Sequence, residues 1–257
     1  MKPIVVKIGG STLGNHDTTL EDLVKLQKEG VPIVVVHGGA QMVSDWLSRL
    51  GISTSFINGL RVTDAETLRV VAAVLGGLVN KELVMATQAS KAKTVGLSGA
   101  DGNLLQAKIK SSELGYTGEI LAVDSTSLRI LLGKGYMPVV APISCGMIDD
   151  KSTLLNANGD AVAGEIAAAL VAEKVIFLTD VDGIHDGSGK TLPRLSATEA
   201  ERMLNRGMVS GGMIPKIEAC LKALTTVPVA RIIDGRVPRA LFNEMKNGIG
   251  GTTIAAE

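Results

Sequence analysis

The sequence predicts an α/β fold, a three-layer αβα sandwich with a mainly parallel central sheet. Two observations carry that prediction. Six short β-branched runs, at 4–8, 33–36, 94–97, 137–141, 175–178 and 229–233, stay apolar without alternating, as strands covered on both faces do. Helical patterns separate them, at about 17–29, 40–50, 64–91, 160–172, 197–206, 213–226 and 238–247.

Local signals agree with these elements in order. Gly30 and Gly51 fall where the first two helices need left-handed C-terminal residues. Asp64 suits the N-cap of the long third helix, and Ser196-Ala-Thr-Glu199 has the spacing of a capping box. Between about 100 and 125, Gly102 and Gly115-Tyr-Thr-Gly118 interrupt short apolar stretches, which predicts a hairpin excursion over the N-terminal half.

Composition narrows the function classes. The 257 residues are enough for one large domain or two closely packed lobes with an ample core. Lysine plus arginine equals aspartate plus glutamate at 26 each, without a block of like charge, and aromatics are only 2%, which argues against a nucleic-acid partner. Cys145 and Cys220 lie far apart in apolar sequence and read as buried reduced thiols, so a cytoplasmic setting is expected. The first strand begins too early for a signal peptide, and no apolar run reaches the roughly 18 residues of a membrane span. Histidines 16, 37 and 185 show no ligand spacing, so no protein-held metal is expected.

Glycine or acidic turns follow five of the six runs: Gly9-Gly10, His37-Gly38-Gly39, Ser98-Gly99, Asp180-Val-Asp-Gly183 and Asp234-Gly235. Ligands of open α/β sheets bind outside the carboxyl ends of the strands, so together these turns predict an anion site lined by backbone N–H groups. Lys7 sits inside the first apolar run, where a charge is costly unless it meets a ligand or a counter-charge; an exposed sheet edge is the alternative. Lys216 follows Gly211-Gly212 in the first turn of a helix, where it adds a mobile charge to an N-terminus that already attracts anions. In Leu155-Asn-Ala-Asn-Gly-Asp160, Asn158 or Asp160 is either a plain N-cap or a polar group that orients lysines. Arg61, in Asn58-Gly-Leu-Arg-Val-Thr-Asp64, is either a bidentate carboxylate clamp or a solvated surface arginine. Gly187-Ser-Gly-Lys-Thr191 ends like a Walker loop, but Ile184 stands where the required glycine would be, which predicts a polar hairpin tip instead.

Taken over essentially the whole chain, these segments resemble the amino-acid kinase family, with Asn58-Gly-Leu-Arg-Val-Thr-Asp64 pointing to its acetylglutamate branch. The resemblance implies a single kinase domain over 1–257. An N-terminal lobe of about 1–172 would bind the acyl amino acid and a C-terminal lobe of about 173–257 the nucleotide. It implies that Lys7 and Lys216 stabilise the transferring phosphoryl group, that Asp160 orients both, and that Arg61 and Asn156 bind N-acetylglutamate with the backbone of Gly38, Gly39 and Ala40. Nucleotide contacts would come from Gly9, Gly10, Asp180, Val181, Asp182, Gly183, Ile184, His185, Met208, Val209, Ser210, Gly211 and Gly212. ATP would be the donor, carrying its own Mg²⁺, and the acyl phosphate formed belongs to the second step of arginine biosynthesis.

The family has a glycine where this chain has Ala40. The chain also starts directly at the first strand, so the resemblance implies a homodimer insensitive to arginine. Two rival functions follow: a kinase for carrier-linked aminoadipate or glutamate, which would need a basic docking surface, and a non-catalytic amino-acid sensor, which would be expected to lack one of the two lysines.

Overall fold

The computed structural model describes residues 1–9, 18–248 and 250–256. Gly10 and His16, both singled out above, lie outside the described residues. The elements run β1 (Ile4–Ile8), α1 (Thr19–Lys28), β2 (Ile33–His37), α2 (Ala40–Arg49), β3 (Phe56–Ile57), β4 (Leu60–Arg61), α3 (Ala65–Val71), a π-helical segment (Ala72–Val79) and α4 (Asn80–Ala89). They continue with β5 (Thr94–Ser98), β6 (Leu105–Ile109), β7 (Thr117–Val123), α5 (Thr126–Gly133), β8 (Met137–Ala141), β9 (Ile143–Ile148), β10 (Lys151–Ala157) and α6 (Gly159–Leu170). The last are β11 (Lys174–Thr179), β12 (Arg194–Ser196), α7 (Ala197–Asn205), α8 (Met213–Ala223), β13 (Val229–Asp234), α9 (Ala240–Asn247) and β14 (Thr252–Ala255).

The main sheet has eight strands in the order β12-β14-β13-β11-β1-β2-β8-β5, all pairs parallel except β13 with β14. β1 is central, with β11 on one side and β2 on the other, so a ligand crevice forms at its carboxyl end between chain segments far apart in sequence. The core splits into two apolar layers, one on each face. Val5, Phe177, Val162, Ile166, Ile217 and Cys220 pack under α6 and α8, while Ile4, Val6, Ile8, Leu23, Leu47 and Leu75 pack under α1, α2 and the long helix. Side chains alternate along β1, so Lys7 projects with Val5 towards α6 and α8 rather than to an exposed edge. Its burial follows from that register.

The predicted hairpin is β6 with β7, antiparallel from Leu105 opposite Val123 to Ile109 opposite Gly118. It does not stand alone: β9 and β10 join it in a small closed barrel. The helix spanning Ala65–Ala89 is long and apolar enough to cross a membrane by length and composition. Arg69, Lys81 and Glu82 interrupt its apolar run. Leu68, Val71, Val74, Leu75, Val79, Leu83 and Val84 are buried in the protein core, so one face is committed to the fold.

The caps fall where the sequence places them. Asp64 accepts from Thr67 N–H at 2.7 Å, and Ser196 with Glu199 forms the reciprocal capping box. Gly30 and Gly51 carry φ of 87° and 72° just beyond α1 and α2. Gly187-Ser-Gly-Lys-Thr191 is the predicted hairpin tip, closed by a bridge between His185 and Thr191.

Candidate active site

Asn158 settles the first ambiguity. Its side chain caps α6, accepting from the N–H groups of Asp160 at 2.9 Å and Ala161 at 3.0 Å. Asp160, one residue into the helix, is thereby free to face the strand ends. Its Oδ1 lies 2.8 Å from Lys7 Nζ and its Oδ2 lies 3.2 Å from Lys216 Nζ. Oδ1 meets Lys7 as an ion pair and has no further hydrogen-bond partner among the described residues. Burial pushes the Asp160 carboxyl up, but the two ammonium groups together outweigh it and hold the group below the usual carboxylate range. One buried carboxylate thus carries the buried Lys7 and the partly buried Lys216. The site keeps one uncompensated positive charge for an anion.

The two helices that bring Asp160 and Lys216 together cross closely. A side chain at Gly164 on α6 would come within 2.4 Å of the Ala219 carbonyl on α8, so only glycine permits this approach.

A cleft of about 370 Å³ opens over this ion triad. It is lined by Lys7, Gly9, Gly38, Gly39, Ala40, Arg61, Asn156, Asp160, Asp180, Gly212 and Lys216 among others. Arg61 is buried rather than a solvated surface arginine. Its Nη2 donates to the Ala40 carbonyl at 2.9 Å and to Ser44 Oγ at 2.8 Å, and its guanidinium stacks on Phe56 with 4.7 Å to the ring centre. Nη1 is buried without a hydrogen-bond partner among the described residues. An arginine fixed by one arm with the other arm orphaned is a docking point for a carboxylate. Burial also lowers its pKa from the ordinary arginine value.

Asn156 is held by Thr63, whose Oγ1 accepts from Asn156 Nδ2 at 3.0 Å. Thr117 Oγ1 donates to the Arg61 carbonyl at 2.7 Å, so the barrel floor is tied to the strand that carries the arginine. The β3–β4 tip at Gly59 approaches Gly211, bringing the arginine hairpin up to the loop that precedes α8.

Other expected site residues fall elsewhere. Val181, Asp182, Gly183, Ile184, His185, Met208, Val209, Ser210 and Gly211 do not line this cleft. Ile184 is a core side chain whose N–H already donates to Thr252 Oγ1 at 2.8 Å, and Asp182 bonds His185 at 2.6 Å and Thr191 at 2.6 Å. The N–H groups of Gly38 and Gly9 donate to the Ile8 and Leu178 carbonyls, so the backbone donor expected from Gly38 is taken by the sheet. Gly99 and Gly235 also stand outside the cleft; β5 lies at the far edge of the sheet, two strands beyond β2. Fewer turns therefore meet in one place than five strand ends suggested. Ser44, Phe56, Thr63 and Thr117 were missed by sequence reasoning: Ser44, Thr63 and Thr117 act through contacts distant in sequence, and Phe56 meets Arg61 only through the β3–β4 pairing. Among the described residues no cluster of three or more His, Cys, Asp or Glu could hold a metal ion.

A model of the amino acid kinase family matches residues 2–234. The chain belongs to the amino acid kinase family. Among amino acid kinase relatives, an acetylglutamate kinase of Dehalococcoides mccartyi (strain ATCC BAA-2266 / KCTC 15142 / 195) is 45% identical, covering 99% of this chain and 94% of its own. An acetylglutamate kinase of Methanothrix thermoacetophila is 42% identical, covering 98% of this chain and 92% of its own. The solved structure of smu.665 from Streptococcus mutans UA159 superposes with a TM-score of 0.84 at 26% identity, covering 99% of this chain and 98% of that one. This amino acid kinase thus has an α/β architecture shared over its whole length.

Proposed function

We propose that the protein transfers the γ-phosphoryl group of ATP to the side-chain carboxylate of N-acetyl-L-glutamate, forming an acyl phosphate in the second step of arginine biosynthesis. The observation that carries this reading is the meeting, in one cleft, of the Lys7–Asp160–Lys216 triad with the orphaned Nη1 of Arg61. The triad suits a transferring phosphoryl group, whose charge spreads over its oxygens in the transition state. The arginine suits the α-carboxylate of the acceptor, and Asn156, anchored through Thr63, suits its acetamido group. The acceptor carboxylate is already ionised at neutral pH, so the transfer needs no general base. Relatives 42 and 45% identical bear the matching name, which favours this acceptor over a carrier-linked one.

The acyl amino acid is assigned to the lobe of about 1–172 and the nucleotide to that of about 173–257, with Asp180 to His185 and Met208 to Gly212 around the donor. Mg²⁺ is proposed to arrive on the ATP phosphates, where it would neutralise charge. Among the described residues Asp160 and Asp180 are the acids that line the cleft, and Asp160 is committed to the lysines. A homodimer in the cytoplasm is proposed; the helix spanning Ala65–Ala89 has less than half of its most apolar stretch buried and offers a surface to a second copy. Light scattering that finds monomers or hexamers would overturn the dimer.

An ATP-dependent hydroxamate assay tests the activity. N-acetylglutamate is expected to turn over well ahead of glutamate, aspartate and carrier-linked glutamate or aminoadipate. No turnover with N-acetylglutamate would sink the assignment.

A further inference from the structure

His37, the last residue of β2, is fully buried and stands outside the cleft lining. Its Nδ1 lies 2.7 Å from the carbonyl oxygen of Gly38, and its Nε2 lies 3.2 Å from Nδ2 of Asn80. The Asn80 amide has a defined orientation. Its Nδ2 donates to the carbonyls of Val139 at 2.9 Å and Leu97 at 3.2 Å, while Oδ1 accepts from Lys81 Nζ at 3.0 Å. Both amide hydrogens are thereby spent on carbonyls; a protonated Nε2 would aim its hydrogen at an amide nitrogen that cannot accept it, whereas the Gly38 carbonyl beside Nδ1 can only accept. The ring proton is left on Nδ1, which donates it to Gly38.

That bond sets the direction of a peptide plane. The Gly38 carbonyl and the Gly39 N–H belong to one trans peptide and point in opposite directions. Drawing the carbonyl towards the buried ring turns the Gly39 N–H the other way, to the side where Gly38 and Gly39 line the cleft with Lys7. This N–H has no partner among the described residues. The turn itself is open only to glycine: φ at Gly39 is 141°, and a Cβ there would lie 2.7 Å from Leu75 Cδ2.

We propose that His37, as the neutral Nδ1–H tautomer, is a positioning residue for phosphoryl transfer, holding the Gly38–Gly39 peptide so that the Gly39 N–H faces the cleft as an oxyanion donor beside Lys7. The inference rests on the kinase reading above. Burial lowers the His37 pKa most strongly; the Gly38 bond opposes this, and the Lys7 and Lys81 ammonium groups add to the lowering, leaving it at about 4. The neutral ring is therefore the working form at neutral pH.

Asparagine and glutamine separate the two ring nitrogens, because an asparagine amide nitrogen falls near the place of Nδ1 and that of glutamine near Nε2. In the full chain, His37→Gln is expected to lower kcat by about 10- to 100-fold with both KM values within about 3-fold, while His37→Asn keeps kcat within about 5-fold of wild type. Equal losses in both variants, or changes confined to KM, would indicate packing alone and overturn the inference. In ¹⁵N-histidine-labelled protein, His37 is expected to carry its proton on Nδ1 and none on Nε2 from pH 6 to 9; a protonated Nε2 also overturns it. A wild-type chain that does not turn over N-acetylglutamate counts against the functional reading alone. The His37 inference is then decided by the Gly39 amide resonance on adding ADP with aluminium fluoride. A shift in wild type that is lost in His37→Gln supports it, and the same response in both overturns it.

Discussion

At the scale of single residues, the two lysines do different work from Arg61, and the difference is measurable. Lys216 holds its ammonium group on Asp160 at the mouth of the cleft, where charge develops during transfer. Lys216→Ala is expected to lower kcat by about 10²–10³ while the KM for ATP moves less than about 5-fold. Near wild-type turnover would show that the lysine has no part in the transition state. Arg61 offers its free Nη1 to a group that stays charged throughout the reaction. Arg61→Lys keeps the charge but loses the fork, and is expected to raise the KM for N-acetylglutamate by tens of fold, since a charge-assisted hydrogen bond contributes about 1.5–3 kcal/mol. A fall in kcat with KM unchanged would move Arg61 out of the acceptor site. Both residues could be picked from the sequence by type and setting. That Arg61 is anchored by Ala40 and Ser44, and Asn156 by Thr63, was not visible there, because those partners lie 17 or more positions away.

At the scale of elements, the start of α6 is where local structure becomes catalytic geometry. Asn158 takes the capping role, and the carboxylate next to it turns to the lysines. Asn158→Ala is expected to remove about 1 kcal/mol, lowering Tm by a few degrees, and to lower kcat because Asp160 loses its fixed start. An unchanged Tm would mean that water caps the helix equally well. The runs read as parallel strands were legible because continuous apolar sequence reports burial on both faces. β9, β10 and the barrel they complete were not. Their residues are half exposed, and closure depends on pairing with β6 and β7 across tens of positions. α5 was missed for a related reason: only Leu128 is buried, so Ile130 and its apolar neighbours blur the stripe that marks a helix.

At the scale of the whole molecule, buried titratable groups tie stability to pH. His37 has a folded-state pKa of about 4, below the roughly 6.5 of the unfolded chain, so between those values the unfolded state binds the extra proton. Stability is therefore lost as pH falls through that window, by about 3 kcal/mol in all at about 1.4 kcal/mol per unit. Asp160, held low by Lys7 and Lys216, contributes stability that is present above its unfolded value near 3.9 and is lost at still lower pH as the folded group protonates. Urea denaturation from pH 7 to 4 is expected to show the first loss in wild type and not in His37→Asn; a flat wild-type profile would contradict it. By itself the sequence determined the layer architecture, most caps, and the residue types for a phosphoryl site, because periodicity, turn chemistry and a charge in an apolar strand are local properties. Tertiary structure alone decided which strand ends share the cleft, which backbone N–H groups the sheet consumes, and which arginine nitrogen stays unpaired. Those depend on strand order and side-chain direction, and a linear chain records neither until β1 sits between β2 and β11.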